Sequence, residues 1–403
     1  MGNLKDRHIL LGVTGSIAAF KAVDLASKLT QLGAQVDVIL TTAAEKFITP
    51  LTFQSVTGRH TYTDADLWGG EAHILHIGLS HGADLLVIAP CTANTISKLA
   101  YGAADNLLTI TALAGKCPLL IAPAMDGGMF DADVTQDNLH ILTERGAYIA
   151  GPDEGRFASG LTGKGRLLEP AELIGHIRLV LGRNGRLAGK QVLVTAGGTQ
   201  EPLDPVRVIT NKSSGRQGYA LAQAAIDSGG QVVLITTPTS LTAPVGACVI
   251  EAETARQMYK NVLSESAKTD VLIMAAAVAD FRPKKTARNK MKKREGIPHI
   301  ELEETEDILK AVTEHRSGRK RPRVVVGFAA ESRDLLSNAS EKLKSKKMDF
   351  IVANDISSDD AGFGVETNRV TLLFPNGKKE SLPLMSKAEV AEAIIEHIAE
   401  LLE

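Results

Sequence analysis

Short apolar runs alternate with longer segments of helical period along the whole chain. In the first half, His8–Thr14, Gln35–Thr41, Asp84–Pro90, Pro118–Ala122 and Ala147–Ala150 read as strands, with helices over Ser16–Leu32 and Val134–Arg145. The strands are apolar almost continuously, not at every second position. That pattern belongs to a parallel sheet with helices on both faces. It lapses in the polar stretch Gly182-Arg183-Asn184-Gly185-Arg186 and restarts with KQVLVTAGGT (Lys190–Thr199). The restart echoes HILLGVTGS (His8–Ser16): an apolar strand, a glycine turn, then a helix. Further strands are expected at Gln231–Thr236, Asp270–Met274, Arg323–Phe328 and Asp349–Ala353. RVTLLFPNGKKESLPL reads as a hairpin turning at Asn376-Gly377, and Lys387–Glu403 as an amphipathic helix. The fold class is therefore α/β, two doubly wound Rossmann-like domains in tandem, divided near 185–190 into residues 1–188 and 189–403.

Composition narrows the partners. The chain has 403 residues, 44% hydrophobic and 23% charged, ordinary values for a soluble globular protein. A formal net charge of -2 argues against bulk attraction to nucleic acid or anionic membrane. Cys91, Cys117 and Cys248 form no CxxC pair and sit in or beside apolar runs, so buried free thiols in a reducing cytoplasm are expected. The N-terminal apolar run Ile9–Val13 is too short for a signal peptide or a membrane span, and Asp6 breaks a myristoylation pattern.

Candidate chemistry sits where strands end. GVTGSIAAFK puts Gly15-Ser16 at a strand end and helix start, where N–H groups and the helix dipole favour a phosphate. A tight βα turn would use the same residues, and without GxGxxG a mononucleotide fits better than a dinucleotide. APCTANTISKLAYGAADNLLT crowds Thr92, Asn94, Thr95, Ser97, Asp105 and Asn106 after a buried strand. Capping accounts for one or two of these, and the whole set points to a ligand. HILHIGLSH offers His73, His76 and His81, but zinc on His73 and His76 lacks a third ligand at a recognised spacing. PAMDGGMF places Asp126 either in a simple Asp-Gly-Gly turn or in a site at a strand's carboxyl end.

In the second half, RPKKTARNKMKKR (Arg282–Arg294) carries eight basic residues and no acid. It lacks the interleaved aromatics of a nucleic-acid groove. Beside the strand end MAAAVAD (Met274–Asp280), it reads as a mobile loop closing over a polyphosphate. Asp280 is placed to hold Mg²⁺, directly or through water, or to bond a nucleotide. NKSSGRQGYA sets Asn211, Ser213, Ser214 and Gly215 before another helix, a second anion-friendly start.

Together Gly15-Ser16-Ile17-Ala18-Ala19-Phe20-Lys21, His76-Ile77-Gly78-Leu79, Thr92-Ala93-Asn94-Thr95, Ala104-Asp105-Asn106-Leu107-Leu108 and Pro123-Ala124-Met125 resemble the flavin-containing cysteine decarboxylases. GGTQEPLDPVRVITNKSSGRQG, AAAVADFRP, NKMKK, GFAAE and ANDI follow in the order of a ligase half. The whole chain thus resembles the bifunctional phosphopantothenoylcysteine decarboxylase/phosphopantothenate–cysteine ligases of coenzyme A synthesis. The resemblance implies a flavodoxin-like first domain holding FMN at Gly15, Ser16, Thr41, Thr92, Asn94, Thr95, Asp105 and Asn106, with His76 handling protons or substrate. It implies a second domain that activates the carboxylate of 4′-phosphopantothenate with CTP and Mg²⁺ as an acyl-cytidylate, which the amine of cysteine then attacks. Lys290 corresponds to the catalytic loop lysine and Asn211 to the residue holding the acyl-cytidylate. Asp280, Phe328, Lys342 and Lys346, with Glu306, Asp307, Ile308 and Leu309, match nucleotide-binding positions. A homo-oligomer of trimeric decarboxylase and dimeric ligase units is also implied.

Three departures from the family pattern stand out. Glu306-Asp307-Ile308 replaces a common Pro-Asp-Ile, a change in loop stiffness more than in chemistry. Asp126 stands where the family has Asn, with Phe130 for Trp nearby. Ser159, in RFASGLTGKGR, takes the place of a proton-donating cysteine. A hydroxyl is a far weaker acid than a thiol, whose ordinary pKa is about 8.5. Either Asp126 and Ser159 carry a rewired decarboxylase, or the first domain is a catalytically silent flavin domain kept for assembly or regulation.

Overall fold

The computed structural model describes residues 2–68, 72–156, 160–293, 297–319, 321–331, 334–355 and 365–403. The chain forms two compact units, Asn3–Gly182 and Arg183–Glu403. The Gly-rich stretch after Gly182 packs with the second unit. Leu187 is fully buried, its N–H donates to the Ser228 carbonyl (2.7 Å), and Gly185 has no room for a Cβ beside Ser228.

The first unit is a parallel sheet in the order Thr61–Tyr62, Gln35–Leu40, His8–Val13, Leu85–Cys91, Leu119–Pro123, Tyr148–Ile149. Without the two-residue edge strand Thr61–Tyr62 this is the flavodoxin-like order, whose chain reversal creates a ligand crevice at the strands' carboxyl ends. All seven residues of Leu85–Cys91 are buried, as continuous apolarity requires of a strand covered on both faces. The first helix begins at Ala19, not Ser16, because Ser16 Oγ accepts the Ala18 N–H and holds a separate turn.

The second unit repeats the order with Cys248–Glu251, Gln231–Thr236, Gln191–Ala196, Val271–Met274, Val324–Glu331 and Phe350–Asp355, all parallel. The expected hairpin then adds Val370–Leu373 and Lys379–Ser381 antiparallel at one edge, with Gly377 at φ +86° in the turn. At the other edge, Cys248–Glu251 is only four residues long and mostly exposed, so its pattern carries little strand signal. Because Cys248 lies there, its thiol is exposed; only Cys91 is fully buried. Among the described residues, no helix is long and apolar enough to cross a membrane.

Candidate functional site

In the second unit, the carboxyl ends of the central strands open into a cavity of about 1110 Å³. Three glycines set the backbone at one end of it. Gly197 has φ +86°, and a Cβ there would lie 2.0 Å from Thr237 Oγ1. Gly215 has φ +78° and packs against Gly197, while a Cβ on Gly218 would meet that of Ala196 at 2.5 Å. The helix Arg216–Asp227 thereby starts against the strand end. No side chain caps its first turn, so its leading N–H groups and dipole face the cavity. Asn211 lines the cavity beside it, its Nδ2 donating to the Ala277 carbonyl (3.1 Å).

The opposite wall is cationic above an apolar floor. Lys342 and Lys346 come from the helix Leu335–Ser345 and its C-cap, and Ile308, Leu309 and Phe328 lie below. Lys342 Nζ donates to the Phe328 carbonyl (3.2 Å), and Lys346 pairs with Asp307. Burial alone would raise the Asp307 carboxyl. The Lys346 hydrogen bond, the Lys310 N–H and the two lysine charges outweigh burial and hold it below its ordinary value. Asp307 also caps the start of the helix Ile308–Arg319. Glu306, standing where a proline is common, instead pairs with Arg282 (3.2 Å). Asp280 lies exposed at the rim. No group of three or more metal-binding side chains occurs among the described residues.

Lys290 is the exception among the expected ligase residues, since it does not line the cavity. Its loop is the excursion between the paired strands Phe281–Pro283 and Leu302–Glu304, and both Phe281 and Glu304 are lining residues. Two of the eight basic residues are committed to the hairpin: Arg282 to Glu303 and Glu306, and Lys284 to Glu301. Arg294 lies outside the described residues.

The sequence pattern also missed a polar wall. Asn354 is the penultimate residue of the strand Phe350–Asp355, and its Oδ1 is buried in the cavity lining with no hydrogen-bond partner among the described residues. A buried acceptor left unmade costs about 1–3 kcal/mol, which a ligand donor would recover. Asn368 and Lys387 stand on the same lining, and burial lowers the Lys387 pKa. The signal available in sequence was the polar Asn-Asp after an apolar strand.

In the first unit a Cβ on Gly15 would meet that of Ala43 at 2.5 Å, and no side chain caps the helix after it. This is a close-approach turn at a strand end, in which Ser16 accepts the Ala18 N–H on its Oγ (3.2 Å) and the Ala19 N–H on its carbonyl (3.0 Å). Thr14 donates to the Pro90 carbonyl (2.7 Å) and accepts the Thr92 N–H (3.0 Å), joining this turn to the next strand's end. Thr92 and Asn106 cap the helices Ala93–Tyr101 and Leu107–Ala114, Thr95 is buried beside Thr92, and Asn94 is exposed. Asp105 binds Lys98, whose hydrogen bond lowers its pKa. Thr41 is buried with its hydroxyl on the Val13 carbonyl and the Ala44 N–H. Asp64, absent from the expected set, joins two of these loops: it accepts from Thr42 Oγ1 (2.7 Å) and from the Leu107 N–H (2.9 Å). Only the fold reveals this pairing.

His76 lies half-buried on the helix Ala72–Gly82, and its Nδ1 is buried with no hydrogen-bond partner among the described residues. Asp126 caps the short helix Gly127–Phe130 through the Gly128 N–H (3.2 Å), just past the carboxyl end of the strand Leu119–Pro123. The Met125 N–H donates to the Gly165 carbonyl (2.9 Å), docking the hairpin Asp153–Arg156/Thr162–Arg166 on that turn. Ser159 lies outside the described residues. The close-approach glycine at a strand's carboxyl end and the imidazole nitrogen, unpartnered among the described residues, fit a flavin phosphate and a reacting ligand.

Comparison with known proteins follows the same division. Residues 1–181 match the family described as Flavoprotein, and residues 187–402 the DNA/pantothenate metabolism flavoprotein C-terminal domain. The coenzyme A biosynthesis bifunctional protein CoaBC of Bacillus subtilis (strain 168) is 45% identical over 401 residues, covering 99% of this chain and 98% of its own. Its namesake from Vibrio vulnificus (strain YJ016) is 41% identical over 404 residues, covering all of both chains. Among solved structures, the C-terminal domain of a coenzyme A biosynthesis bifunctional protein CoaBC is 38% identical, covering 54% of this chain and 98% of that one, with a TM-score of 0.46.

Proposed function

The chain belongs to the family of coenzyme A biosynthesis bifunctional proteins, and from that premise we propose which residues perform its two activities. It is a phosphopantothenate–cysteine ligase and a phosphopantothenoylcysteine decarboxylase. We assign the ligase to residues 189–403 and the decarboxylase to residues 1–188.

The cavity of the second unit carries the ligase assignment, because it joins an uncapped helix start, two lysines and an apolar floor. CTP binds with its base and ribose toward Ile308, Leu309, Phe328, Lys342 and Lys346. Its phosphates face the Arg216 helix start. Asp280 would hold Mg²⁺, which would supply charge neutralisation to the phosphates. The carboxylate of 4′-phosphopantothenate attacks the α-phosphorus and pyrophosphate leaves. Lys290 stabilises the charge that builds on that leaving group. Asn211 holds the acyl-cytidylate while the cysteine amine attacks its acyl carbon, and CMP departs as the amide forms.

The first unit holds FMN at Gly15, Ser16, Thr41, Thr92, Asn94, Thr95, Asp105 and Asn106, and when bound the flavin supplies the two-electron chemistry that eases carboxylate loss. His76 handles the substrate's proton at its buried nitrogen. Asp126 meets the carboxylate, and Ser159 stands at the proton-donor position. The protein is proposed to be cytoplasmic and homo-oligomeric, with trimeric decarboxylase and dimeric ligase units. Exposed Ile17, Phe20 and Leu51 on the first unit and Val206 and Phe281 on the second support this assembly.

The test is one reaction mixture. With CTP, 4′-phosphopantothenate and cysteine, the purified protein should release pyrophosphate and CMP in equal amounts, then CO₂. A protein that releases no pyrophosphate from CTP would refute the ligase assignment.

A further inference from the structure

We infer that Asp204 is a positioning residue for the Lys290 loop, an inference that rests on the role assigned to Lys290 above. Asp204 lies in the turn between the strands Gln200–Pro202 and Val208–Thr210, and its side chain is fully buried. Its Oδ1 accepts the N–H groups of Val206 (2.8 Å) and Arg207 (2.9 Å), which is all that closing the turn requires. Its Oδ2 reaches a residue 87 positions away and accepts the N–H of Met291 (3.1 Å), the residue after Lys290.

Three more bonds fasten the loop to the same turn. The Met291 carbonyl accepts from Arg207 Nη2 (3.3 Å), Ala287 N–H donates to the Leu203 carbonyl (3.0 Å), and Thr286 Oγ1 donates to the Pro202 carbonyl (3.1 Å). The loop is thus held at 286–287 and at 291, with Lys290 exposed between the anchors. An ammonium on a four-carbon stem places itself poorly, so fixing its backbone on both sides confines where it can reach. A carboxylate suits the task because its bonds to N–H groups are about twice as strong as neutral ones. An amide at this position would turn a donor toward either Met291 or the turn.

The test uses Asp204→Asn in the full chain. Its pyrophosphate-release kcat should fall about 10²-fold, as for a misplacement of about 1 Å, with KM for CTP little changed. Amide exchange at 286–291 should accelerate while the sheet stays protected. In a Lys290→Gln background, Asp204→Asn should add no further loss. A full additional loss there, or a wild-type kcat in Asp204→Asn beside a normal Lys290→Gln defect, overturns the inference alone. A wild-type rate in Lys290→Gln overturns the Lys290 assignment and this inference with it. Should Asp204→Asn fail to fold, Thr286→Val removes a different side-chain anchor, at the loop's other end. Faster exchange with a lowered kcat then supports positioning, and faster exchange with a wild-type kcat refutes it.

Discussion

Replacing Gly218 with alanine should separate stability from ligase activity. A Cβ at this position would sit 2.5 Å from Ala196 Cβ and 3.0 Å from the Ala196 Cα and the Thr195 carbonyl oxygen. Ordinary contact begins near 3.5 Å, so the helix Arg216–Asp227 must lift from its strand by about 1 Å. Overpacking of this kind costs about 1–3 kcal/mol. Alanine returns about 1 kcal/mol through its better helix propensity, which leaves a net loss of about 0–2 kcal/mol. The uncapped first turn of that helix is the proposed phosphate cradle, and moving it about 1 Å should cost on the order of 10²-fold in kcat/KM for CTP. Pyrophosphate release at varied CTP, with thermal melting of the same preparation, reads both quantities. A wild-type kcat/KM in a folded variant would refute the claim that this helix start holds the nucleotide.

Three further outcomes are expected. Lys290→Gln should lower pyrophosphate release by about 10²–10³-fold with the melting temperature unchanged; a wild-type rate would make Lys290 a surface charge only. At the amino-terminal edge of the first sheet, Asp37 accepts from His8 (2.5 Å) and from Arg59 (2.6 and 2.9 Å). Burial opposes its charge, but those bonds lower its pKa to about 2 from 3.8, worth about 2.5 kcal/mol. That stability is present above about pH 4 and lost as pH falls toward 2, whereas the His8 contribution, with its pKa raised by Asp37, is full below about pH 6.5 and fades above it. Asp37→Asn should therefore flatten the acid limb of first-unit melting, and an unchanged limb would refute the assignment. Finally, phosphopantothenoylcysteine should yield CO₂ and the saturated thiol in equal amounts. CO₂ with a stalled enethiol, relieved by Ser159→Cys, would place the proton deficit at Ser159, and no CO₂ from flavin-loaded protein would mark the first unit as silent.

Much of this protein is determined locally. Continuous apolar runs such as Leu85–Cys91 specify strands buried on both faces, hence a parallel sheet, whichever residues later become neighbours. Glycines at 15, 197 and 215 mark strand-to-helix turns, and Gly218 marks a helix packed tightly on its strand, because close approach or positive φ excludes a side chain. These features carried the two α/β domains and the strand ends at which phosphates are proposed to bind. The short edge strands Thr61–Tyr62 and Cys248–Glu251 were not legible, since their pairing comes from a neighbouring strand and not from their own pattern. Tertiary structure alone decided which polar groups meet. It joined Asp64 to both Thr42 and Leu107, left Asn354 Oδ1 in a cavity with no partner among the described residues, and committed Arg282 to Glu303 and Glu306 while Asp204 held the loop beside Lys290. The reason is physical: apolar period is a property of successive residues, whereas a hydrogen bond across 87 positions exists only once the sheet has brought its ends together.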